Sequence, residues 1–258
     1  MLQHFLKIAA AVVVACVVIP IETRAAEWGS LKGRILIDGT PPKVEPLKGN
    51  DKDAYCMKQM PANKSIVIGK DNALVNAVVY LRLATGKKVE VNPEYRADLS
   101  KPLVLDNKGC EFHPHVTLAQ EGQTLDIKNS DPVGHNTNVQ VLAFNQIIPS
   151  NNDTKVKIGT LSPLPTEVSC NIHPFMKGWI LVQNHPYMAV TGDDGTFEIK
   201  DIPAGKHEFQ FWQESAGYLK NVKVKGGTTE RHGRIELTIE PGKTLDLGDI
   251  KVPASALK

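Results

Sequence analysis

Short segments that alternate apolar and polar residues run through the chain from about residue 27 to its end. They are rich in Val, Ile and Phe, a pattern typical of half-buried β-strands. Turn-forming residues separate them, as in DDGT at 193–196 and EGQ at 121–123. The predicted strands are GRILIDG, SIVIG, LVNAVVYLRL, HVTLAQ, TLDIKN, TNVQVLAF, TKVKIGTL, GWILVQN, TFEIKDI, HEFQFW, NVKVKG and RIELTIE. Many short strands with regular turns predict antiparallel β-sandwiches.

Helical periodicity is almost absent. The only plausible helix is a turn or two within NDKDAYCMKQM, at residues 50–60. No low-complexity tract or repeat of fixed period interrupts the pattern. The predicted fold class is therefore all-β.

The first 26 residues differ in composition from the rest of the chain. A short basic stretch leads into the apolar run IAAAVVVACVVIPI, which is short for a membrane span and typical of a secretory signal. Cleavage near TRAA, after Ala25 or Ala26, predicts a periplasmic or secreted protein without a membrane span. A retained anchor and a lipidated Cys16 are the alternatives.

Charge and cysteine content narrow the function classes. The chain has 30 Lys and Arg against 28 Asp and Glu, and acids and bases are interspersed, so we expect no nucleic-acid partner. Removal of the signal leaves Cys56, Cys110 and Cys170 in a chain that folds in an oxidising compartment. That odd number requires an explanation.

The segment SCNIHPFMKGWILV, residues 169–182, places Cys170, His173 and Met176 in one short loop before a predicted strand. A second imidazole is available at His135 in SDPVGHNTN. A type 1 copper site requires two neutral imidazoles, a thiolate and a weak axial thioether, which these four residues can supply. Zinc is disfavoured because a thioether is a poor ligand for it, and the CxxCH motif of c-type haem is absent.

The loop CNIHPFMKG resembles the amicyanin-type ligand loop of the cupredoxin family, and HVTLAQEGQTLDIKNSDPVGHN is similar to the earlier strand–turn–strand segment of that family. The resemblance covers roughly residues 103–184. This chain departs from the family before the cysteine, where it has PLPTEVS and relatives often have aromatic residues. The sequence therefore does not predict which side chains pack beneath the copper. The resemblance implies imidazole ligands at His135 and His173, a thiolate at Cys170, an axial thioether at Met176, and loop-tying hydrogen bonds from Asn136.

The same resemblance implies a function and a docking surface. Four protein ligands leave no open position for a substrate, so we expect one-electron transfer by a copper protein that is not an enzyme. His173 is expected to be the exposed ligand, with Pro174 and Phe175 forming the apolar surface where a redox protein partner docks. A periplasmic copper carrier and a metal-free β-sandwich binding module are the alternatives.

If Cys170 binds the metal, Cys56 and Cys110 are left as a pair, and a disulfide between them is the economical interpretation. A second metal site is the alternative, because GCEFHPHV places Cys110, His113 and His115 close together. The two histidines would share one face if that segment were a strand.

The segments around the copper loop predict a second domain. MAVTGDDGTFEIKDIPAGKHEFQFW, residues 188–212, resembles the carboxypeptidase regulatory-like domain, a small transthyretin-like β-sandwich, and LKGRILIDGTPP upstream is similar to the opening of that domain. We therefore predict a sandwich built from 27–102 and 185–258, with a cupredoxin Greek-key β-sandwich at 103–184 inserted into it. A sequential order, in which 27–102 contributes strands to the copper sandwich, is the alternative.

Overall fold

The computed structural model describes residues 28–49 and 54–258. The predicted signal sequence and Cys16 lie outside the described residues. Within the described ranges, no helix is long and apolar enough to cross a membrane.

The elements are as follows in chain order. The first part contains β1 (Trp28–Asp38), α1 (Ala54–Gln59), β2 (Val67–Ile68), β3 (Leu74–Val75), β4 (Val78–Arg82) and α2 (Pro93–Arg96). The middle part contains β5 (Leu103–Lys108), β6 (Glu111–His113), β7 (Val116–Gln120), β8 (Thr124–Asn129), β9 (His135–Val139), β10 (Phe144–Ile148), β11 (Asn152–Lys157), β12 (Thr166–Ser169) and β13 (Lys177–Gln183). The last part contains β14 (Met188–Val190), β15 (Thr196–Pro203), β16 (Gly205–Gln213), β17 (Gly217–Tyr218), β18 (Lys223–Val224), β19 (Gly227–Thr228), β20 (Arg234–Ile239) and β21 (Thr244–Pro253). Short 3-10 turns lie at Lys70–Asn72, Ala97–Ser100, Gln140–Leu142 and Ala254–Ala256.

The predicted all-β fold class is confirmed. Helix α1 lies within the segment expected to be helical, and α2 is a second short helix that the sequence pattern did not predict.

One sandwich, called here the split sandwich, takes strands from both ends of the described chain. One of its sheets has the order β15–β1–β21, and the other has the order β14–β4–β16–β17 with β20 paired to β16. Strand β1 pairs antiparallel with β15 and parallel with β21. Its inward residues Leu31 and Ile35 pack in one core with Leu81 and Phe209 from the facing sheet.

The other sandwich, called the central sandwich, is formed by β5 to β13. Its sheets have the orders β10–β9–β12–β13–β7 and β11–β8–β5–β6. Most neighbours are antiparallel, whereas β13 with β7 and β5 with β8 are parallel. Phe112, Ile127 and Ile180 belong to the core between these sheets.

The two sandwiches stack against each other. Strand β4 is buried on both faces, because Val79 and Leu81 point into the core of the split sandwich while the alternating residues point outward to the central sandwich. Strand β13 shows the same two-sided burial. The buried residues packed between the two sandwiches are Val78, Tyr80, Val116, Leu181 and Trp212.

Candidate metal centre

The candidate centre consists of His135, Cys170, His173 and Met176 at one end of the central sandwich. His135 begins β9, Cys170 directly follows β12, and the other two residues lie in the turn that leads into β13. Because β12 lies between β9 and β13 in the sheet, strand pairing brings both segments to the same place. The turn closes on itself, with the Met176 N–H donating to the His173 carbonyl at 2.8 Å.

Nδ1 of His173 lies close to both a ring nitrogen of His135 and the thiol of Cys170. The Nδ1 atoms of His135 and His173 are 3.1 Å apart. The Sγ atom of Cys170 lies 3.7 Å from Nδ1 of His173. All four residues are buried, with at most 1% of any of them exposed.

A carboxylate that the sequence prediction missed orients the first histidine. Oδ2 of Asp131 lies 2.7 Å from Nε2 of His135. An ionised carboxylate accepts a proton from Nε2, so the lone pair of the neutral ring is on Nδ1, the atom that faces His173. The available signal was an acidic residue four positions before the histidine in SDPVGHN.

Asp131 is itself held by groups from distant parts of the chain. The N–H groups of Gly109 and Cys110 donate to its carboxylate at 2.6 and 2.8 Å, and the Tyr55 hydroxyl donates at 3.1 Å. Burial by itself raises the pKa of Asp131, but the two N–H donors and the His135 ring outweigh burial and hold that pKa below its usual value. The carboxylate is therefore ionised where it meets His135.

Asn136 joins the two segments of the centre. Its Oδ1 accepts the Asn171 N–H at 3.0 Å, and its Nδ2 donates to Oδ1 of Asn145 at 2.8 Å. These bonds connect β9, β10 and the loop that carries Cys170. The position matches the loop-tying role that the sequence resemblance implied for Asn136.

The environment of Cys170 opposes an isolated thiolate. Burial raises the pKa of the Cys170 thiol, although backbone N–H groups of His173, Asn136 and Ile172 act in the opposite direction. A metal ligand must be the thiolate, so a cation between the sulfur and the imidazoles would offset the cost of burying that charge.

The interatomic distances fit a small metal ion. If metal–nitrogen bonds are about 2.0 Å and metal–sulfur bonds about 2.3 Å, as for zinc, the observed N–N and S–N separations correspond to angles of roughly 100° and 120° at the metal. Both angles suit a three- or four-coordinate ion. Two imidazoles with a thiolate and a thioether are the donor set that copper selects. Met176 supplies a thioether in the same turn as His173.

The predicted disulfide is confirmed. Cys56 and Cys110 are bonded, with an S–S distance of 2.02 Å. Cys170 is the free cysteine in the described part of the chain. Since the sulfurs of Cys56 and Cys110 are bonded to each other, neither is available as a thiolate ligand, although both lie close to His135.

The expectation that His173 is exposed is wrong. His173 is 0% exposed. The sulfur of Cys56 in α1 lies within 4.8 Å of ring nitrogens of both histidines, and the Phe175 ring centre is 5.8 Å from that of His173. Pro174 is exposed, whereas Phe175 is half-buried and packs against the core of the central sandwich. Helix α1, whose packing beside the centre the sequence did not predict, therefore covers the histidine.

The alternative cluster of Cys110, His113 and His115 is not brought together as a metal site. Cys110 is in the disulfide, and Nε2 of His113 faces the Lys108 carbonyl at 3.1 Å. His115 lies beyond the end of β6 and pairs instead with Glu214 of the split sandwich.

Comparison with known proteins gives structural neighbours only. No protein-family model matches the chain, and no curated protein sequence matches it. The chain is similar to amicyanin from Paracoccus versutus (Thiobacillus versutus), with 15% identity, a TM-score of 0.29, and coverage of 41% of this chain and 97% of that chain. It is similar to a reduced amicyanin variant with 16% identity, a TM-score of 0.29, and coverage of 42% and 99%. It is also similar to a Cu-containing nitrite reductase (NirK) from Thermus scotoductus SA-01, with 22% identity, a TM-score of 0.29, and coverage of 40% and 25%.

Proposed function

We propose that this protein is a type 1 copper protein that carries single electrons. The observation that supports this function best is that Nδ1 of His173 lies 3.1 Å from Nδ1 of His135 and 3.7 Å from Sγ of Cys170, with all three side chains buried. Bound copper would supply the one-electron redox chemistry. Met176, buried in the same turn, is the proposed axial thioether.

The protein residues hold the donor atoms in place before and after an electron moves. Asp131 fixes the His135 tautomer, and Asn136 ties β9 to the ligand loop. Burial of the four side chains keeps bulk water away from the donor atoms. An environment that changes little between oxidation states suits fast electron transfer.

Burial also argues against the copper carrier as the function. A carrier passes its metal to a partner and therefore needs ligands that the partner can reach, whereas the most exposed of these four ligands is 1% exposed. The disulfide supports a periplasmic or secreted location, because such bonds persist in oxidising compartments.

Because His173 is buried, the docking surface that we propose differs from the one predicted from the sequence. Beside the ligand loops the exposed apolar side chains are Ile147 and Ile172, which are 64% and 42% exposed, together with Pro174. Ile147 lies opposite Asn136 in the β9–β10 pair. We therefore place the docking of a redox protein partner on these three residues.

Copper reconstitution tests the function. The protein loaded with Cu(II) should show intense visible absorption, a type 1 EPR spectrum and a reversible redox couple. Cys170→Ser should abolish the absorption, whereas His113→Gln, which changes an exposed histidine of the same sandwich, should leave it intact. Absorption that survives Cys170→Ser would overturn the assignment, and a colourless, readily stripped Cu(I) site would favour the carrier.

A further inference from the structure

A cavity of about 260 Å³ lies between the two sandwiches, next to the candidate centre. Phe175 and Met176 of the ligand loop form one wall, and Cys110 of the disulfide lies beside them. His115 of the central sandwich and Glu214 of the split sandwich form another wall. A molecule in this cavity would therefore contact a residue of the centre without displacing a ligand.

The polar wall contains an imidazole–carboxylate pair. Nε2 of His115 is 2.5 Å from Oε2 of Glu214, and the side chains are 8% and 11% exposed. The carboxylate accepts the Nε2 proton of the neutral ring, so the other ring nitrogen carries a lone pair and can accept a proton. The same division of roles makes a histidine the base in carboxylate–histidine dyads of hydrolases.

The remaining charges at the cavity are already paired. Lys64 forms an ion pair with Glu111, and Lys177 forms one with Glu167 at 3.0 Å. Apart from the Glu214 carboxylate, which is hydrogen-bonded to His115, the charged side chains that line the cavity are paired, and apolar groups such as Pro61 and Phe175 complete the lining. These features favour a neutral ligand with an apolar body and a polar O–H group.

The size of the cavity sets the size of that ligand. A protein cavity of about 150 Å³ holds benzene. The present cavity, at about 260 Å³, accommodates one aromatic ring with hydroxyl substituents.

We propose that this cavity binds a small neutral phenol, of the hydroquinone type, as an electron donor to the metal centre. The inference rests on the proposed copper function. With copper bound, the phenolic O–H bond would break, its proton would pass to the ring nitrogen of His115 that does not face Glu214, and its electron would reduce Cu(II) to Cu(I). Glu214 neutralises the resulting imidazolium, and the phenoxyl or semiquinone radical leaves the cavity. Two semiquinones then disproportionate to one quinone and one hydroquinone, which balances the second electron.

Binding to the metal-free protein tests the cavity separately from copper chemistry. Hydroquinone titrated into the metal-free protein in a calorimeter should bind the native chain and His113→Gln equally. Binding to His115→Gln should be at least tenfold weaker. Circular dichroism must show that each variant is folded. Undetectable binding to the native protein, or equal binding to all three proteins, would overturn the proposal.

A second variant tests the proton step if His115→Gln does not fold. Glu214→Gln can still accept the Nε2 proton through its amide oxygen, but it cannot neutralise an imidazolium. Hydroquinone should reduce the copper form of this variant at least tenfold more slowly than the native form, while hexaammineruthenium(II), which loses no proton, should reduce both at the same rate. Equal rates of reduction by hydroquinone in the variant and the native protein would contradict the proton-accepting role of the His115–Glu214 pair.

The two proposals fail in different ways. Loss of the type 1 spectrum with retained hydroquinone binding would overturn the copper function and, with it, the donor role, leaving only a phenol-binding cavity. A type 1 spectrum without hydroquinone binding would overturn the donor proposal alone.

Discussion

At the scale of single residues, Asp131 determines which nitrogen His135 presents to the candidate centre. Its carboxylate accepts from Nε2 of His135 and is held by donors that lie far away in sequence, in α1 and in the turn after β5. Hydrogen-bond partners of this kind orient a ligating imidazole and raise its basicity.

Asp131→Asn is expected to weaken copper binding by about 10- to 100-fold, because the amide keeps the shape of the side chain but loses its charge. Competition with a chelator of known affinity measures the change. Asp126→Asn is the matched control, since Asp126 is a mostly buried carboxylate of β8 paired with Lys128 rather than with a histidine. An equal loss in both variants would show that the effect is not specific to His135.

His185 is a second residue whose burial affects how the stability of the protein depends on pH. It is 0% exposed, and its Nδ1 accepts the Tyr187 N–H at 3.2 Å. Burial lowers the pKa of His185 from 6.5 to about 4.

The free energy of unfolding should therefore fall as the pH is lowered from 6.5 to about 4. In this window the unfolded chain binds a proton at His185 that the folded protein does not bind, which costs up to about 3 kcal/mol of stability. Urea unfolding at several pH values measures the slope. His185→Phe should reduce the slope, and an unchanged slope would contradict the assignment to this histidine.

At the scale of elements, helix α1 depends on its attachment. A helix of 6 residues is too short to be stable alone, and Cys56 is its buried residue. The disulfide to Cys110 and the Tyr55 bond to Asp131 hold it over the two histidines.

The double change Cys56→Ser and Cys110→Ser should lower the free energy of unfolding of the metal-free protein by about 4 kcal/mol, because the bond closes a long loop. It should also speed copper removal by a chelator, because the cover over His173 is released. Chemical denaturation and stopped-flow chelation measure the two effects. Cys170→Ser, which leaves the disulfide closed, is the control for the stability measurement. If the double variant loses copper to the chelator at the native rate, α1 is not a barrier to copper removal.

The strands illustrate what periodicity can predict. TLDIKN matches β8, and GWILVQN overlaps β13 almost completely. Strands β5, β10 and β21 were not predicted, although β21 alternates apolar and polar residues on both sides of Gly248. The continuous apolar residues of β4 indicate burial on both faces, but the partner on the second face is visible only in the packed structure.

At the scale of the whole molecule, packing determines which surface a partner can reach. Helix α1 closes the approach over His173, and the split sandwich covers one side of the central sandwich. The exposed apolar residues Ile147 and Ile172 remain beside the ligand loops.

Ile147→Lys should slow electron self-exchange between oxidised and reduced molecules at least tenfold, because a charge on each docking surface makes the two copies repel each other. NMR line broadening measures the rate, and the visible spectrum should not change. Val104→Lys is the control, since Val104 is 43% exposed at the start of β5 and away from the ligand loops. Equal slowing in both variants would point to a general charge effect.

The sequence by itself determined the features that depend on local order. Alternation specifies strands, and the short spacing of Cys170, His173 and Met176 confines three candidate ligands to one turn. Assigning Cys170 to the metal left Cys56 and Cys110 as the economical disulfide pair. Only the tertiary structure decided that His173 is covered, that Asp131 meets His135, and that His115 and Glu214 face a cavity. His115 and Glu214 belong to different sandwiches, and the groups that cover His173 or hold Asp131 in place come from segments far apart in the chain. Periodicity and spacing record neighbours along the chain, whereas these contacts arise from how strands pair and how sandwiches stack.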